Sequence, residues 1–515
     1  MMQVTLSDPI IEVTGWTPDL DKLGAYTYKR RKTPEEIREE KIERRNRFGE
    51  GAWKVSQIES IPMTCLSKDE TKPGVCYFLP GLWPRVREYF DTHGLQYTVV
   101  DKRNPDIRPP LDMSAFDGVD FRETQDVAVA LISSLDCGVI ETTTGYGKSL
   151  LISLLCKAYP TLNIVVTTSS TSVVNTLYEY LSKTIPGQVG VLHATKDTTA
   201  GKRVVCTTLK SLPNISPDNV QLVFVDECHA IGNNDAGRAL MKFCWARRFG
   251  FSASPVRNDG TGKVMESLLG PTILKMSYQE ATDAGMVTPM KYLMLPCSGC
   301  PPAAKNLNLP DVALKRVSYW QNNARNGVIR RFVYDLKSKF DGQIMIMVST
   351  LVHAIELHKL LPWFKVAYYG RNDTKALTGK LKNVDLSQYK MNAKQLDIMR
   401  KAFAKGTLKY LICTKVMKQG VNFPHLQVLI RADGDVSAVE GIQIPGRLSR
   451  LDEDKQYAYL IDVADTFSPW AHGRAQARQK LYQEQQWQQI SYQSLIDELG
   501  STKGNSEETD GTVHQ

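Results

Sequence analysis

The chain contains a glycine-rich segment whose residue types suit the binding of a nucleotide's phosphates. An apolar stretch leads into Glu141-Thr142-Thr143-Thr144-Gly145-Tyr146-Gly147-Lys148-Ser149, and a second apolar stretch follows it. Glycines let a backbone curl so that its amide hydrogens face phosphate oxygens at the amino end of a helix. A lysine such as Lys148 can reach the β- and γ-phosphates, and the Ser149 hydroxyl can ligate Mg²⁺. We therefore predict a P-loop over Thr144–Ser149, although Thr142 replaces the first glycine of the motif's longest form.

A second segment places two carboxylates side by side at the end of an apolar run. Leu222-Val223-Phe224-Val225 leads directly into Asp226-Glu227-Cys228-His229. A buried parallel strand would put Asp226 at its carboxyl end, the edge at which such sheets bind ligands. Asp226 could hold Mg²⁺ through water, and Glu227 could orient or deprotonate an attacking water. Such a pair is common alone, but together with the P-loop it predicts a site that hydrolyses a nucleotide.

A third segment, Gln443-Ile444-Pro445-Gly446-Arg447-Leu448-Ser449-Arg450, carries two arginines three residues apart, on one face of a helix. Arginine neutralises charge that develops on a transferring phosphoryl group. If two lobes close around a nucleotide, Arg447 or Arg450 could act as an arginine finger. Taken alone, the pair would be interpreted as two surface arginines.

These segments lie in a chain that alternates short β-branched runs with helix-like stretches from about residue 114 onward. Such alternation predicts parallel sheets with helices on both faces. We expect strands at Gly138–Glu141, Asn163–Thr167, Val204–Thr207, Leu222–Val225 and Arg248–Ser252, and a second series at Gln343–Val348, Lys365–Tyr369, Tyr410–Cys413, Val428–Arg431 and Ala458–Asp462. The predicted fold class is α/β, with two tandem parallel-sheet lobes over residues 114–290 and 291–490.

Residues 1–113 are predicted to form a small α+β module ahead of the two lobes. The expected elements are a charged, solvated helix within Lys29–Arg47, a helix at Trp83–His93 and strands at Ile10–Val13, Val75–Leu79 and Gln96–Val100. Asn104–Pro110 contains three prolines and is expected to be a linker. At the other end, residues 491–515 are expected to finish in a disordered tail, Ser501–Gln515.

The composition is that of a globular protein that stays in the cytoplasm. The net charge of +9 (64 basic minus 55 acidic residues) suits a polyanionic partner, although ordinary enzymes can be as basic. No apolar run is long enough to span a membrane, and the N-terminus lacks a secretory pattern. Cysteines in apolar runs, Cys156, Cys206, Cys244 and Cys413, are expected to be buried thiols in a reducing compartment. Cys297 and Cys300 lack the second pair that a zinc site needs.

The order of the segments resembles that of the motifs of superfamily 2 helicases. Over residues 120–465 the matching segments are Phe121-Arg122-Glu123-Thr124-Gln125, the P-loop, the Asp-Glu-Cys-His box, Ser252-Ala253-Ser254-Pro255, Thr414–Pro424 and Gln443–Arg450. Val348-Ser349-Thr350 is similar to that family's motif IV. The resemblance implies two RecA-like lobes, ATP and Mg²⁺ as cofactors, and a motor that acts on nucleic acid.

The resemblance also implies a role for each matching residue. Adenine would contact Gln125, and the remaining nucleotide contacts would come from Thr144, Gly145, Tyr146, Gly147, Lys148, Ser149, Gly420 and Asn422. Coupling between the nucleotide and the nucleic acid would involve His229, Ser252, Ser254 and Gln443. The nucleic-acid backbone would contact Thr168, Ser169, Thr207, Thr208, Thr350 and Thr414, although ordinary loop capping also explains such hydroxyls. The family usually has threonine at positions 149 and 254, and often has aspartate at position 422.

The residues ahead of the lobes resemble the N-terminal module of phage branch-migration helicases of the UvsW type. The similar segments are Arg47–Lys54, Tyr77–Trp83 and a helix ending near His93-Gly94, together with Asn322–Asn326 before motif IV. This likeness implies branched DNA as the partner (forks, Holliday junctions and displacement loops) in phage recombination, replication or repair, inside the host cell's cytoplasm. Arg47 and Trp53 would contact DNA, unless Trp53 belongs to the module's own core.

Several interpretations of the function remain open at this point. The chain could be a helicase that acts on branched DNA as a monomer, an RNA helicase, or a duplex-DNA translocase that does not separate strands. A nucleic-acid-binding scaffold without ATPase activity is disfavoured because Lys148, Asp226, Glu227, Arg447 and Arg450 are all present. The lysine- and asparagine-rich insertion Asn372–Lys394 could be a further contact or a solvated loop.

Overall fold

The computed structural model describes residues 2–8, 10–48, 58–143, 145–232, 235–253, 259–306, 309–367, 389, 391–414, 423–436, 445–449, 451–452 and 455–501. They form two compact units, one of Met1–Thr142 with Gly147–Lys275 and one of Thr143–Tyr146 with Met276–Gln515. Some predicted site residues lie outside the described part of the chain, namely Trp53, Thr144, Ser254, Gly420, Asn422, Gln443 and Arg450. The same is true of the predicted tail after Ser501 and of most of the Asn372–Lys394 insertion.

The N-terminal residues build a five-stranded sheet with its own hydrophobic core. The strand order is β5-β6-β2-β1-β7, and β3 pairs with β4 in a separate two-stranded ribbon. One helix, α2, covers the sheet with Val86 and Phe90, which lie four residues apart and are fully buried. The bounds are β1 Met2–Leu6, β2 Ile11–Thr14, β3 Ala25–Arg31, α1 Pro34–Phe48, β4 Ile58–Thr64, β5 Ser67–Lys68, β6 Val75–Phe78, α2 Trp83–Thr92 and β7 Tyr97–Asp101.

The first lobe is an eight-stranded sheet in the order β11-β10-β12-β9-β13-β14-β8-β15. Its central strands pair in parallel, and all five residues of β13 are buried, as expected for a sheet covered on both faces. The bounds are α3 Gln125–Ser134, β8 Cys137–Glu141, α4 Lys148–Ala158, β9 Ile164–Thr168, α5 Thr171–Thr184, β10 Val189–His193, β11 Lys196–Asp197, β12 Val204–Thr208, β13 Leu222–Asp226, α6 Asp235–Met241, β14 Arg247–Ser252, α7 Gly262–Leu269 and β15 Thr272–Lys275.

The second lobe is a seven-stranded sheet in the order β18-β19-β17-β20-β21-β16-β22. Its last helix packs Leu495, Ile496 and Leu499 into the core of the lobe, so the chain stays folded to Ser501. The bounds are α8 Tyr278–Asp283, β16 Met290–Cys297, α9 Asp311–Lys315, α10 Asn323–Lys339, β17 Gln343–Met347, α11 Leu351–Leu360, β18 Lys365–Ala367, α12 Ala393–Ala404, β19 Tyr410–Cys413, β20 Leu426–Arg431, α13 Pro445–Leu448, β21 Ala458–Asp465, α14 Pro469–Glu484, β22 Gln488–Gln489 and α15 Tyr492–Ser501.

The structure confirms the predicted α/β fold, in which two parallel-sheet lobes follow a small N-terminal sheet along the chain. All five strands predicted for each lobe are present, with ends shifted by a few residues. Strands at Met2–Leu6, Val189–His193, Thr272–Lys275 and Met290–Cys297 were not predicted. None of the helices in the described residues combines the length and the apolar character that a bilayer crossing requires.

The N-terminal sheet is docked on the first lobe through a closely packed contact with α7. A Cβ atom added to Gly81 would lie 2.2 Å from the Glu266 carbonyl oxygen and 2.6 Å from that of Ser267. Beside this contact, Arg85 donates from Nε and Nη2 to the Glu266 carboxylate at 2.7 and 2.9 Å. Lys263 donates from Nζ to the Leu23 carbonyl at 2.7 Å. These contacts place the N-terminal sheet and the first lobe in one compact unit.

The segment expected to be a linker is also held against the first lobe. Arg108 donates from Nε to Asp136 at 2.6 Å and from Nη2 to Asp8 at 2.8 Å, and Arg103 donates from Nη1 to the same Asp136 carboxylate. Burial would raise the pKa of Asp136, but the two arginines outweigh it and leave that pKa lowered. Asp136 directly precedes β8, so the segment is tied to the strand that leads into the P-loop. The domain boundary at residue 113 stays a prediction.

Gly81→Ala tests the docking contact. The added methyl would overlap a carbonyl oxygen of α7, and overpacking of this kind costs about 1–3 kcal/mol. We expect the melting temperature of the first unit to fall by roughly 5 °C in calorimetry. Gly262→Ala, on the same helix, is the matched control because nothing lies within 4 Å of its added methyl. Equal melting temperatures for the two variants would contradict this account of the docking.

Candidate active site

The P-loop joins the end of β8 to the start of α4 with two glycines in left-handed backbone conformations. Gly145 has φ of 105° and Gly147 has φ of 91°, values that residues with a side chain rarely adopt. A side chain at position 147 would also meet the Gln125 amide nitrogen, 2.8 Å from the added Cβ. Gln125 is buried, and its Oε1 accepts a hydrogen bond from the Arg122 amide at 3.0 Å. The residue predicted to contact adenine is therefore packed against the phosphate loop.

Lys148 begins α4 and points back into the loop. Its Nζ donates to the Thr142 carbonyl at 3.1 Å, and the buried Thr142 hydroxyl has no hydrogen-bond partner among the described residues. Tyr146 is fully buried, which removes its ring from solvent. Within the second unit, Gly145 lies close to Val287, whose Cγ1 is 3.1 Å from the position of an added Cβ. The structure thus gives a reason for the glycines and the lysine, whereas a nucleotide contact from Tyr146 stays a prediction.

The acidic pair lies at the carboxyl end of β13, where the backbone leaves the sheet abruptly. Asp226 is the last residue of the strand and is buried. Glu227 has φ of 56° and ψ of 49°, a left-handed conformation that is uncommon for a residue other than glycine. Cys228 follows in a short 3-10 turn and packs against Gly250, which has no side chain to obstruct it. The strand therefore ends at Asp226, and Glu227 belongs to the turn that follows it.

The electrostatic environment of Asp226 is typical of a carboxylate at a cation-binding site. Burial and the negative charge of Glu227 raise the pKa of Asp226 to about 7, and the positive charge of Lys148 opposes this rise. A divalent cation beside the carboxylate would remove the strain of a buried negative charge. The donor set of one carboxylate and one hydroxyl, Asp226 and Ser149, is the oxygen chemistry that Mg²⁺ prefers. The residues present therefore fit this metal.

A series of polar contacts runs from Glu227 through the end of β14 to Thr142, just before the P-loop. His229 Nδ1 lies 3.2 Å from the Ser252 Oγ and 3.3 Å from Glu227 Oε2. The Ser252 carbonyl accepts from the Thr142 amide at 3.0 Å. His229 and Ser252 were both predicted to couple the nucleotide to nucleic acid, and the structure brings them together. The functional role itself stays a prediction.

The hydroxyl residues predicted to hold nucleic acid are mostly buried in the first lobe. Thr168 and Thr207 are fully buried, and the Thr207 hydroxyl donates to the Leu192 carbonyl at 3.0 Å. The Thr208 hydroxyl bonds the Ser211 hydroxyl at 3.1 Å in a local cap. Ser169 is exposed at the end of β9. Of these four, Ser169 alone presents its side chain to solvent in this conformation.

In the second lobe, Thr350 caps the amino end of α11 by accepting a hydrogen bond from the His353 amide. Thr414 is buried directly after β19. Arg447 lies in α13, but its side chain is outside the described atoms, as is that of Arg47 in α1. The turn after Arg447 is held by the Ser449 carbonyl, which accepts from the Thr288 amide at 2.6 Å.

A buried network of charges in the second lobe was not anticipated. Arg325 donates from Nε to Asp465 at 2.8 Å, and Arg478 donates from Nε to Asp462 at 2.8 Å. Tyr482 donates to the same Asp462 at 2.6 Å. Burial would raise the pKa of Asp462, but Arg478 and Arg431 outweigh it, and that pKa is lowered. The aspartates within the apolar strand β21 could have indicated buried ion pairs, because an isolated carboxylate there would be costly.

Asp226→Asn tests the environment of the acidic pair. Because the folded pKa of about 7 lies above the ordinary value of 3.8, ionised Asp226 destabilises the protein, fully above pH 7 and progressively less towards pH 4. We expect Asp226→Asn to be more stable than the wild type at pH 8, by roughly 1–4 kcal/mol, in thermal unfolding with a chelator present. The gain should shrink as the pH falls towards 4. The exposed Asp120→Asn is the control, and a gain that does not vary with pH would contradict the assignment.

Two family models match the chain in tandem. Residues 119–257 match the model described as Type III restriction enzyme, res subunit, and residues 327–452 match the Helicase conserved C-terminal domain. A relative from the Sulfolobus islandicus filamentous virus, "Putative helicase 22", is 22% identical over 418 residues, which cover 74% of this chain and 71% of the relative.

Solved structures share the two-lobed fold. S. cerevisiae Dbp5 bound to RNA and ADP BeF3 has a TM-score of 0.53 at 13% identity, covering 76% of this chain and 95% of that one. UvsW of T4 covers 95% of this chain and 98% of its own at 13% identity, with a TM-score of 0.40 that is too low to place any residue. The tandem family models and the motif order identify the chain as a superfamily 2 helicase.

Proposed function

We propose that the chain is an ATP-hydrolysing motor that remodels branched DNA, such as forks, Holliday junctions and displacement loops. The observation that carries the ATPase part is the meeting of Lys148, Asp226 and Glu227 at the carboxyl edge of one sheet, where the charge of Lys148 acts on the buried Asp226. A catalytically inactive scaffold would have no need to keep a destabilising carboxylate in that position.

Each residue of the site has a task in the proposed mechanism. Lys148 and the P-loop amides bind the phosphates, and Gln125 orients the base. Asp226 and Ser149 would hold Mg²⁺, which when bound supplies positive charge at the phosphate oxygens. Glu227 orients the attacking water and accepts its proton. Arg447 and Arg450 are assigned to neutralise charge on the γ-phosphate on the strength of the motif order.

The coupling step is assigned to the series of polar contacts from Glu227 to Thr142. His229 faces both the Glu227 carboxylate and the Ser252 hydroxyl, and the Ser252 carbonyl holds the Thr142 amide. A change of charge at Glu227 alters the hydrogen bond that His229 can offer to Ser252. Ser252 in turn precedes the segment after β14, so the state of the nucleotide would reach the rest of the lobe along this path.

DNA is proposed as the partner from the residues that surround the core. The box reads Asp-Glu-Cys-His and not Asp-Glu-Ala-Asp, and an extra module precedes the lobes, and both features argue against an RNA helicase. The fold does not decide, because the similar structures include Dbp5 bound to RNA and the Type ISP restriction enzyme LlaBIII bound to DNA, the latter at a TM-score of 0.50. An excess of positive charge suits either polyanion. The host cytoplasm is the compartment we propose.

Lys148→Ala tests the ATPase assignment. Removing the ammonium that reaches the phosphates should lower the ATPase rate by about 10³-fold, with circular dichroism and melting temperature close to those of the wild type. Lys157→Ala is the matched control, since this exposed lysine lies on the same helix and donates to the Ala115 carbonyl. Wild-type turnover in Lys148→Ala would refute the proposed site.

Ser252→Ala tests coupling. The variant loses the hydroxyl that faces His229 but keeps the carbonyl that holds Thr142. We expect ATPase activity to remain within a few-fold of the wild type while strand separation falls about tenfold, the effect of one lost hydrogen bond. Ser153→Ala is the control, because this buried hydroxyl bonds only a carbonyl of its own helix in the described residues. A parallel fall in both activities would mean that Ser252 serves catalysis directly.

The choice of substrate is tested by comparing ATPase rates without nucleic acid, with single-stranded RNA, with single- and double-stranded DNA and with a four-way DNA junction. The proposal expects the greatest stimulation with the junction, accompanied by unwinding of that junction. Stimulation by RNA alone would instead make the chain an RNA helicase. Stimulation by duplex DNA without strand separation would make it a translocase.

A further inference from the structure

The exposed side of α10 in the second lobe carries Arg330, Tyr334 and Lys337, and the ring of Trp363, which lies outside this helix, packs beside them. The guanidinium carbon of Arg330 lies 5.1 Å from the ring centroid of Tyr334, and Lys337 Nζ lies 4.2 Å from that of Trp363. Between the two cations, the rings of Tyr334 and Trp363 meet edge to face with centroids 5.0 Å apart. We call these four residues the cation–aromatic ladder. These contacts restrict the side chains of Arg330 and Lys337, so both cations are positioned before a partner binds.

The two cations of the ladder have no ion-pair partner in the part of the chain that the structure describes. Within the described residues, neither Arg330 nor Lys337 has a carboxylate within 4 Å, whereas Lys339 pairs with Asp497 at 3.9 Å and Lys359 pairs with Glu356 at 3.0 Å. Cation–π contacts order a charged group but leave its charge unbalanced. Ordered, uncompensated positive charge favours a polyanionic partner, because little side-chain entropy remains to be lost on binding.

The rings themselves are poorly placed to stack on bases. One face of Tyr334 is covered by Arg330 and one face of Trp363 by Lys337, and the rest of Trp363 packs on the core of the lobe. Single strands are held mainly by bases stacked on open aromatic faces. A surface on which a cation covers one face of each ring suits contact with phosphates, which is how proteins bind a duplex without reading its sequence.

The ladder lies at the opposite end of the sheet from the motif residues. Lys337 is near the end of α10, just before β17, and Trp363 lies two residues before β18, so both are at the amino ends of parallel strands. Thr350 and Thr414 follow the carboxyl ends of β17 and β19. Arg330 and Lys337 lie seven positions apart, roughly 10 Å along the helix, which equals about three nucleotide steps along the axis of a duplex.

We propose that the cation–aromatic ladder binds the phosphate backbone of a double-stranded nucleic-acid arm, separate from the strand held by the motif residues. The inference rests on the proposed function, since a branched substrate has more than one arm to be held. It deepens that function by giving the second lobe its own duplex contact.

The test uses the full chain without nucleotide and measures its affinity for a short blunt duplex and for one strand of it over a range of salt concentrations. The variant Arg330→Gln/Lys337→Gln should lose two phosphate contacts. The slope of log affinity against log salt should therefore fall by about 1.8 for the duplex, with a loss of about tenfold in affinity at low salt. Affinity for the single strand should stay unchanged. Lys359→Gln/Lys480→Gln is the matched control, because both lysines are paired with glutamates on the same lobe.

Other outcomes separate the two proposals. An unchanged duplex slope, or an equal loss for the single strand, would overturn the ladder's role whatever the ATPase results. The proposed function fails independently if the wild type hydrolyses no ATP with any nucleic acid, because the binding slopes are measured without nucleotide. Junction-stimulated ATPase that is weakened in the ladder variant, with stimulation by the single strand retained, would support both.

Discussion

Backbone pairing between β14 and its two neighbours is the constraint on which the candidate active site depends. Ser252 is in register with Glu141 of β8 on one side, and Phe251 is in register with Asp226 of β13 on the other. The last residues of three parallel strands therefore reach the same edge of the sheet. A slip of one residue in either pairing would exchange the faces of the sheet and separate the P-loop from the carboxylates. No side-chain contact could compensate for such a slip.

Much of this arrangement could be predicted because it is local in sequence. The P-loop and the acidic pair each combine an apolar strand with a polar end, and the strands lie within a few residues of their predicted places. The positions that escaped prediction depend on distant partners. Met2–Leu6 became a strand because it pairs with both Ile11–Thr14 and Tyr97–Asp101. Nothing in those five residues alone indicates either partner strand, since whether a segment forms a strand depends on its neighbours as much as on its own sequence.

The buried charges of the second lobe could not be predicted for the same reason, because their partners are distant in the sequence. Arg325 and Asp465 are 140 residues apart, yet both side chains are fully buried against each other. Hydrophobic periodicity cannot identify such a pair, because each charged residue interrupts the hydrophobic pattern of its own helix or strand. The candidate site is similar: Gln125 was placed by resemblance, but its packing against Gly147 follows from the fold. Sequence reasoning locates the chemistry, and tertiary contacts decide how rigidly it is held.

Gly81 has a further consequence for how this protein can evolve. Its neighbours across the contact are backbone atoms of Glu266, Ser267 and Gly270, which no substitution on α7 can move aside. The arginines that bind Asp136 likewise come from the first hundred or so residues, while Asp136 itself belongs to the lobe. The contact therefore needs residues from both the N-terminal part of the chain and the first lobe. The N-terminal sheet and the first lobe should thus be inherited as one piece, and swapping in a foreign N-terminal domain would leave the partly buried Asp136 carboxylate without its two arginines.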